Sequence, residues 1–74
     1  MQEYKIDVTQ IEELQMISDK DELERIFNRA KSTIVQGGTV ALTRKSRDGK
    51  VERFDELSTE PDLNTYKTIV FKYL

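Results

Sequence analysis

A change of hydrophobic period across Gly37-Gly38 constrains this chain more than any other feature. Before it, Leu23, Ile26, Phe27, Ala30 and Ile34 recur at spacings of three and four, which lays them along one face of an α-helix. After it, the chain alternates residue by residue, with Val40 and Leu42 on one side and Thr39, Ala41 and Thr43 on the other, as in a strand. Gly37 supplies the left-handed stop of the helix, and Gly38 lets the chain reverse. A helix with one apolar face followed at once by a strand with one apolar face buries both by packing one on the other, which predicts the α+β class.

The flanking segments extend this pattern. Ser18 with Asp21 forms an N-cap signature, so the spacing predicts a helix over 19–36. Its acids Asp19, Asp21, Glu22 and Glu24 lie near the start and its bases Arg29 and Lys31 further on, in accord with the helix dipole, and Asp21 is spaced to pair with Arg25. Arg47-Asp48-Gly49-Lys50 reads as a tight hairpin turn, because Asp-Gly readily takes positive φ, and Val51 to Glu56 is the returning strand. Phe54 breaks the parity shared by Val51 and Leu57, which calls for a bulge or for partial cover on both faces. Ser58, Thr59 and Pro61 mark the start of a last helix over about 60–73, with Leu63, Tyr66, Ile69, Val70 and Tyr73 as its apolar stripe.

At the N-terminus Tyr4, Ile6 and Val8 alternate with Glu3, Lys5 and Asp7, the pattern of a half-buried strand. Thr9 and Glu12 fit a capping box for a short helix over 10–16, against a competing reading of Leu14 to Ile17 as a strand. The expected architecture is a single domain, 1–74. It is a small two-layer α+β fold in which an antiparallel β-hairpin, with the N-terminal segment as a candidate third strand, packs against two amphipathic helices.

With 74 residues the chain holds one core. A core of that size gives roughly 3–5 kcal/mol of net stability, so self-association is an expected way of adding to it. There is no Cys and no His, which removes disulfides, thiol chemistry, imidazole ligation and the commonest general acid/base. No apolar run reaches the length of a membrane span, and the polar alternation of Met1 to Val8 is unlike a secretory leader, so a cytoplasmic location away from membranes is expected. Small size alone suggests a bacterial module.

Chemical motifs are sparse. The neighbouring carboxylates Glu12-Glu13 and Asp55-Glu56 point apart on a helix and to opposite faces of a strand, so neither pair converges for acid/base work. The acids at 19–24 lack the glycine turn and ligand spacing of a calcium loop. Gly37-Gly38 lies between a helix and a strand, the reverse of the order that cradles phosphate. No catalytic residue, metal site or cofactor is expected.

Charge is distributed unevenly. Residues 1–24 contain eight acids and two bases, 25–53 two acids and eight bases, and 54–74 four acids and two bases, or −6, +6 and −2. Arg44, Lys45, Arg47, Lys50 and Arg53 gather on the hairpin, where no helix dipole accounts for them, and they are the candidate binding residues. Such a ribbon can dock an acidic protein surface or neutralise phosphates, or its charges can serve only to guard the hairpin edges against aggregation. Against nucleic acid stand a pI near 5.1, the absence of Trp, and Phe54 as the only aromatic among the basic positions. Tyr66, Phe71, Tyr73 and Leu74 make the last helix apolar on more than one side and are candidate interface residues. The expected function is therefore non-enzymatic: a protein-interaction or regulatory module whose partner is another protein or a second copy, as a homodimer. Nucleic-acid backbone binding through residues 44–53 is the alternative.

Overall fold

The chain runs β1 (Glu3–Asp7), α1 (Val8–Met16), α2 (Lys20–Val35), β2 (Thr39–Lys45), β3 (Val51–Leu57) and α3 (Glu60–Lys72), in a computed structural model that describes residues 2–74. The N-terminal segment is the third strand. It lies parallel to β2, with Glu3 opposite Thr39 and Asp7 opposite Thr43, and β3 lies antiparallel on the other side, giving a mixed sheet in the order β1-β2-β3. A parallel neighbour needs a crossover, and α1 and α2 together provide it.

Residues 9–17 resolve in favour of a helix, but its cap differs from the sequence expectation. Asp7, not Thr9, is the N-cap, and its carboxylate accepts from the Thr9 amide at 2.9 Å. The α2 cap is likewise displaced by one residue: Asp19 accepts from the Glu22 amide at 3.1 Å. Ser18 instead occupies the left-handed position after α1, with φ 54°. The Ser18 amide bonds to the Gln15 carbonyl and the Asp19 amide to the Leu14 carbonyl, which closes α1 with the paired bonds usually built around glycine. A serine in that conformation costs about 1–2 kcal/mol relative to helical backbone, and glycine escapes that cost while gaining about 0.4–1 kcal/mol of unfolded-state freedom. Ser18→Gly is therefore expected to stabilise the domain by roughly 0.5–1 kcal/mol in urea unfolding. Arg25 pairs with Glu22 at 3.4 Å in place of the expected Asp21.

The end of α2 follows expectation. Gly37 has φ 89°, its amide bonds to the Ile34 carbonyl at 2.9 Å, and the Gly38 amide bonds to the Thr33 carbonyl at 2.8 Å. The parity break at Phe54 is a bulge: Thr43 faces Arg53 while Leu42 faces Asp55, leaving Phe54 as the extra residue. Thr59 caps α3 through the Asp62 amide at 3.3 Å, with Pro61 in the first turn.

One core joins all six elements. Ile6, Val40, Leu42 and Leu57 from one face of the sheet meet Ile11 of α1, Leu23, Ile26, Phe27 and Ala30 of α2, and Leu63 and Val70 of α3. All three helices thus lie on the same sheet face. In α3 the buried stripe differs from the expected one. Tyr66, Phe71 and Leu74 pack against the core, whereas Ile69 and Tyr73 are 53% and 70% exposed. Lys67 occupies a position on the inner stripe and hides the true phase of the helix. It is half-buried along its stem, and its ammonium lies 5.6 Å from the Phe71 ring centre.

Candidate interaction site

The five hairpin cations do not form one surface. Arg44 points to the helical side, where its guanidinium bonds the Glu12 carboxylate at 2.7 Å, and Arg53 pairs with Glu3 of β1. Lys45, Arg47 and Lys50 are exposed and without an ion-pair partner among the described residues. They are spread around a turn that also contains Asp48. The Asp48 carboxylate is held below its ordinary range, first by the Ser46 hydroxyl and then by the Lys50 amide at 3.2 Å, so a fixed negative charge sits among these cations.

Of the four aromatic and aliphatic interface candidates, three are largely committed to the fold. Tyr66 and Phe71 flank the buried Phe27 ring, with centroid separations of 5.6 and 6.0 Å and tilted planes. Leu74 packs beside them, and Tyr73 projects outward. The Gln15 side chain donates to the Val70 carbonyl at 3.0 Å, tying α1 to the last turns of α3.

A concave feature of the surface lies elsewhere on α3. A groove of about 370 Å³ runs between β3 and α3, lined by Leu42, Leu57, Ile69 and Tyr66 with Thr65, and rimmed by Asp55, Glu56 and Asp62. The bulge determines which residues line it. Without the extra residue Leu42 would face Phe54; with it, Leu42 faces Asp55, so a carboxylate stands at the groove and the aromatic ring is displaced. Among the described residues no three acidic side chains come close enough to hold a metal ion.

Tyr66 is the most perturbed group here. Its hydroxyl is buried and finds no hydrogen-bond partner among the described residues. Burial pushes its ionisation up to about 12 from 10.0, the Glu12 carboxylate acts in the same direction, and the Arg44 guanidinium opposes them. Since the folded value lies above the unfolded one, the stability linked to this proton is fully present below pH 10.0 and is lost as pH rises toward about 12. Tyr66→Phe is expected to flatten that alkaline loss, measured by urea unfolding at stepped pH. An unchanged profile would remove Tyr66 as its cause.

Sequence reading did not single out Leu42, Leu57, Ile69, Asp55 or Asp62 as site residues. Two signals pointed toward them: the parity break at Phe54, which displaces Asp55, and the adjacent apolar pair Ile69-Val70, of which one helix face can bury only one. No helix among the described residues is long and apolar enough to cross a membrane. No protein-family model, curated protein or solved structure matches the chain, so any reading of its function rests on these residues.

Proposed function

We propose that this chain is a non-catalytic protein-interaction module that works through the groove between β3 and α3. The observation that carries the reading is the combination at one place of an apolar floor, the half-exposed Ile69, and a strand edge open to solvent. Concave sites with a few polar groups around an apolar floor are where proteins most often take ligands, and about 370 Å³ falls within the usual range. Among the described residues the acids around it are not gathered in the groups of three or more that a metal site would require.

The test is selection of peptide ligands from a random library against the immobilised domain, followed by affinity measurements on two variants. Ile69→Glu changes a surface residue and leaves the core intact, so its thermal melt should be close to that of the parent. Selected ligands are expected to bind it at least tenfold more weakly, and to bind a Lys45→Glu, Arg47→Glu, Lys50→Glu variant with affinity changed less than threefold. The three unpaired cations at the hairpin tip support nucleic-acid backbone binding as the second reading. Salt-sensitive binding of mixed-sequence DNA or RNA that the triple variant abolishes, with peptide binding indifferent to Ile69, would replace the groove by the hairpin.

A further inference from the structure

We infer that the partner of this groove is an extended, basic segment of another protein that joins the sheet as a fourth strand along β3. The inference rests on the groove being the working site and adds the shape and charge of what it takes. Two observations support it.

First, β3 pairs with β2 alone among the described residues, so half of the backbone amides and carbonyls of Val51–Leu57 face away from the sheet. A peptide laid along that edge completes the ladder, and its alternate side chains point over the same sheet face that carries α3. There they meet Leu57, Leu42 and Ile69.

Second, the charges at this edge are of one sign. Glu52, Asp55 and Glu56 of β3 and Asp62 of α3 have no ion-pair partner among the described residues, while Arg53, the single cation within β3, is taken up by Glu3. With unpaired carboxylates on both faces of the edge, Glu52 and Asp55 on the groove side and Glu56 on the other, β3 fits a strand in which aliphatic residues alternate with Lys or Arg. A second copy of this chain is the competing occupant of the same edge, and self-association is one outcome of the test.

The experiment uses the whole chain and five synthetic heptapeptides with blocked ends: alternating Val and Lys, alternating Val and Glu, alternating Val and Ser, and the Val/Lys peptide N-methylated at every second amide in each of the two phases. Affinities come from fluorescence titration at moderate salt and locations from amide chemical shifts. The Val/Lys peptide is expected to bind at least tenfold more tightly than the Val/Glu peptide. One N-methylation phase should abolish binding, and Asp55→Asn with Glu56→Gln, which neutralises a carboxylate on each face of the edge, should weaken it about tenfold. Shifts at Leu57 and Ile69 from all peptides, regardless of sign or methylation, would overturn strand addition and leave the groove as the site. No shift there with any peptide would overturn both, whereas sedimentation showing a dimer that Ile69→Glu dissociates would overturn the basic partner and leave the groove as a self-association surface.

Discussion

Phe27→Ala is expected to unfold most of the population at room temperature. Phe27 is 2% exposed and is the side chain on which the third helix rests, since Tyr66 and Phe71 both pack their rings against it. Truncating a buried phenylalanine costs about 3–5 kcal/mol in lost transfer energy and cavity formation. That matches the whole roughly 3–5 kcal/mol available to a domain of this size, so no compensating reserve exists. Circular dichroism should show loss of a cooperative thermal transition. A cooperative melt within a few degrees of the parent would mean that α3 does not depend on this contact.

Gly38→Ala has the next largest expected effect, and its cause lies in sterics, not in chain reversal. A β-carbon on Gly38 would sit 2.8 Å from the Thr33 methyl and closer still to the Gln2 carbonyl oxygen. That carbonyl accepts from the Thr39 amide at 3.0 Å, so moving it aside breaks the bond that begins the β1–β2 pairing. Overpacking of this kind costs about 1–3 kcal/mol, and the lost bond places the expected effect near the upper figure. Gly37→Ala separates this cause from glycine's backbone freedom. At Gly37 a β-carbon meets nothing within 4 Å, and only the positive φ of 89° opposes it, at about 1–2 kcal/mol. In urea unfolding Gly38→Ala should therefore be the more destabilising of the two, and the reverse order would contradict the close-approach account.

The contrast between these glycines shows what sequence could and could not convey. A glycine that ends a helix is announced by the periodicity before it, so the role of Gly37 was legible. The need at Gly38 comes from Gln2, far away along the chain, and no local pattern records it. Caps failed for a related reason: Asp7 with Thr9, and Ser18 with Asp19, each offer two nearby residues with short polar side chains, and the choice between them is made where β1 and α1 enter the core. In α3 the sequence showed the helix but not its phase, because Lys67 buries its stem at a position that reads as polar. The five cations of the hairpin looked like one feature because they are near one another in sequence. Strand alternation and the acids Glu12 and Glu3 take Arg44 and Arg53 away from it. The groove could not be seen at all from local patterns, since Leu42, Asp55, Leu57 and Ile69 come together only once β3 is bulged and α3 is folded back.

The most direct measurement of the central claim is an amide chemical-shift map of the isotope-labelled chain during titration with a selected peptide. The expected perturbations centre on Leu42, residues 55–57 and residues 62–69, with residues 45–50 unmoved. A map centred on Lys45, Arg47 and Lys50, with Leu57 and Ile69 silent, would contradict the account and make the hairpin the working surface.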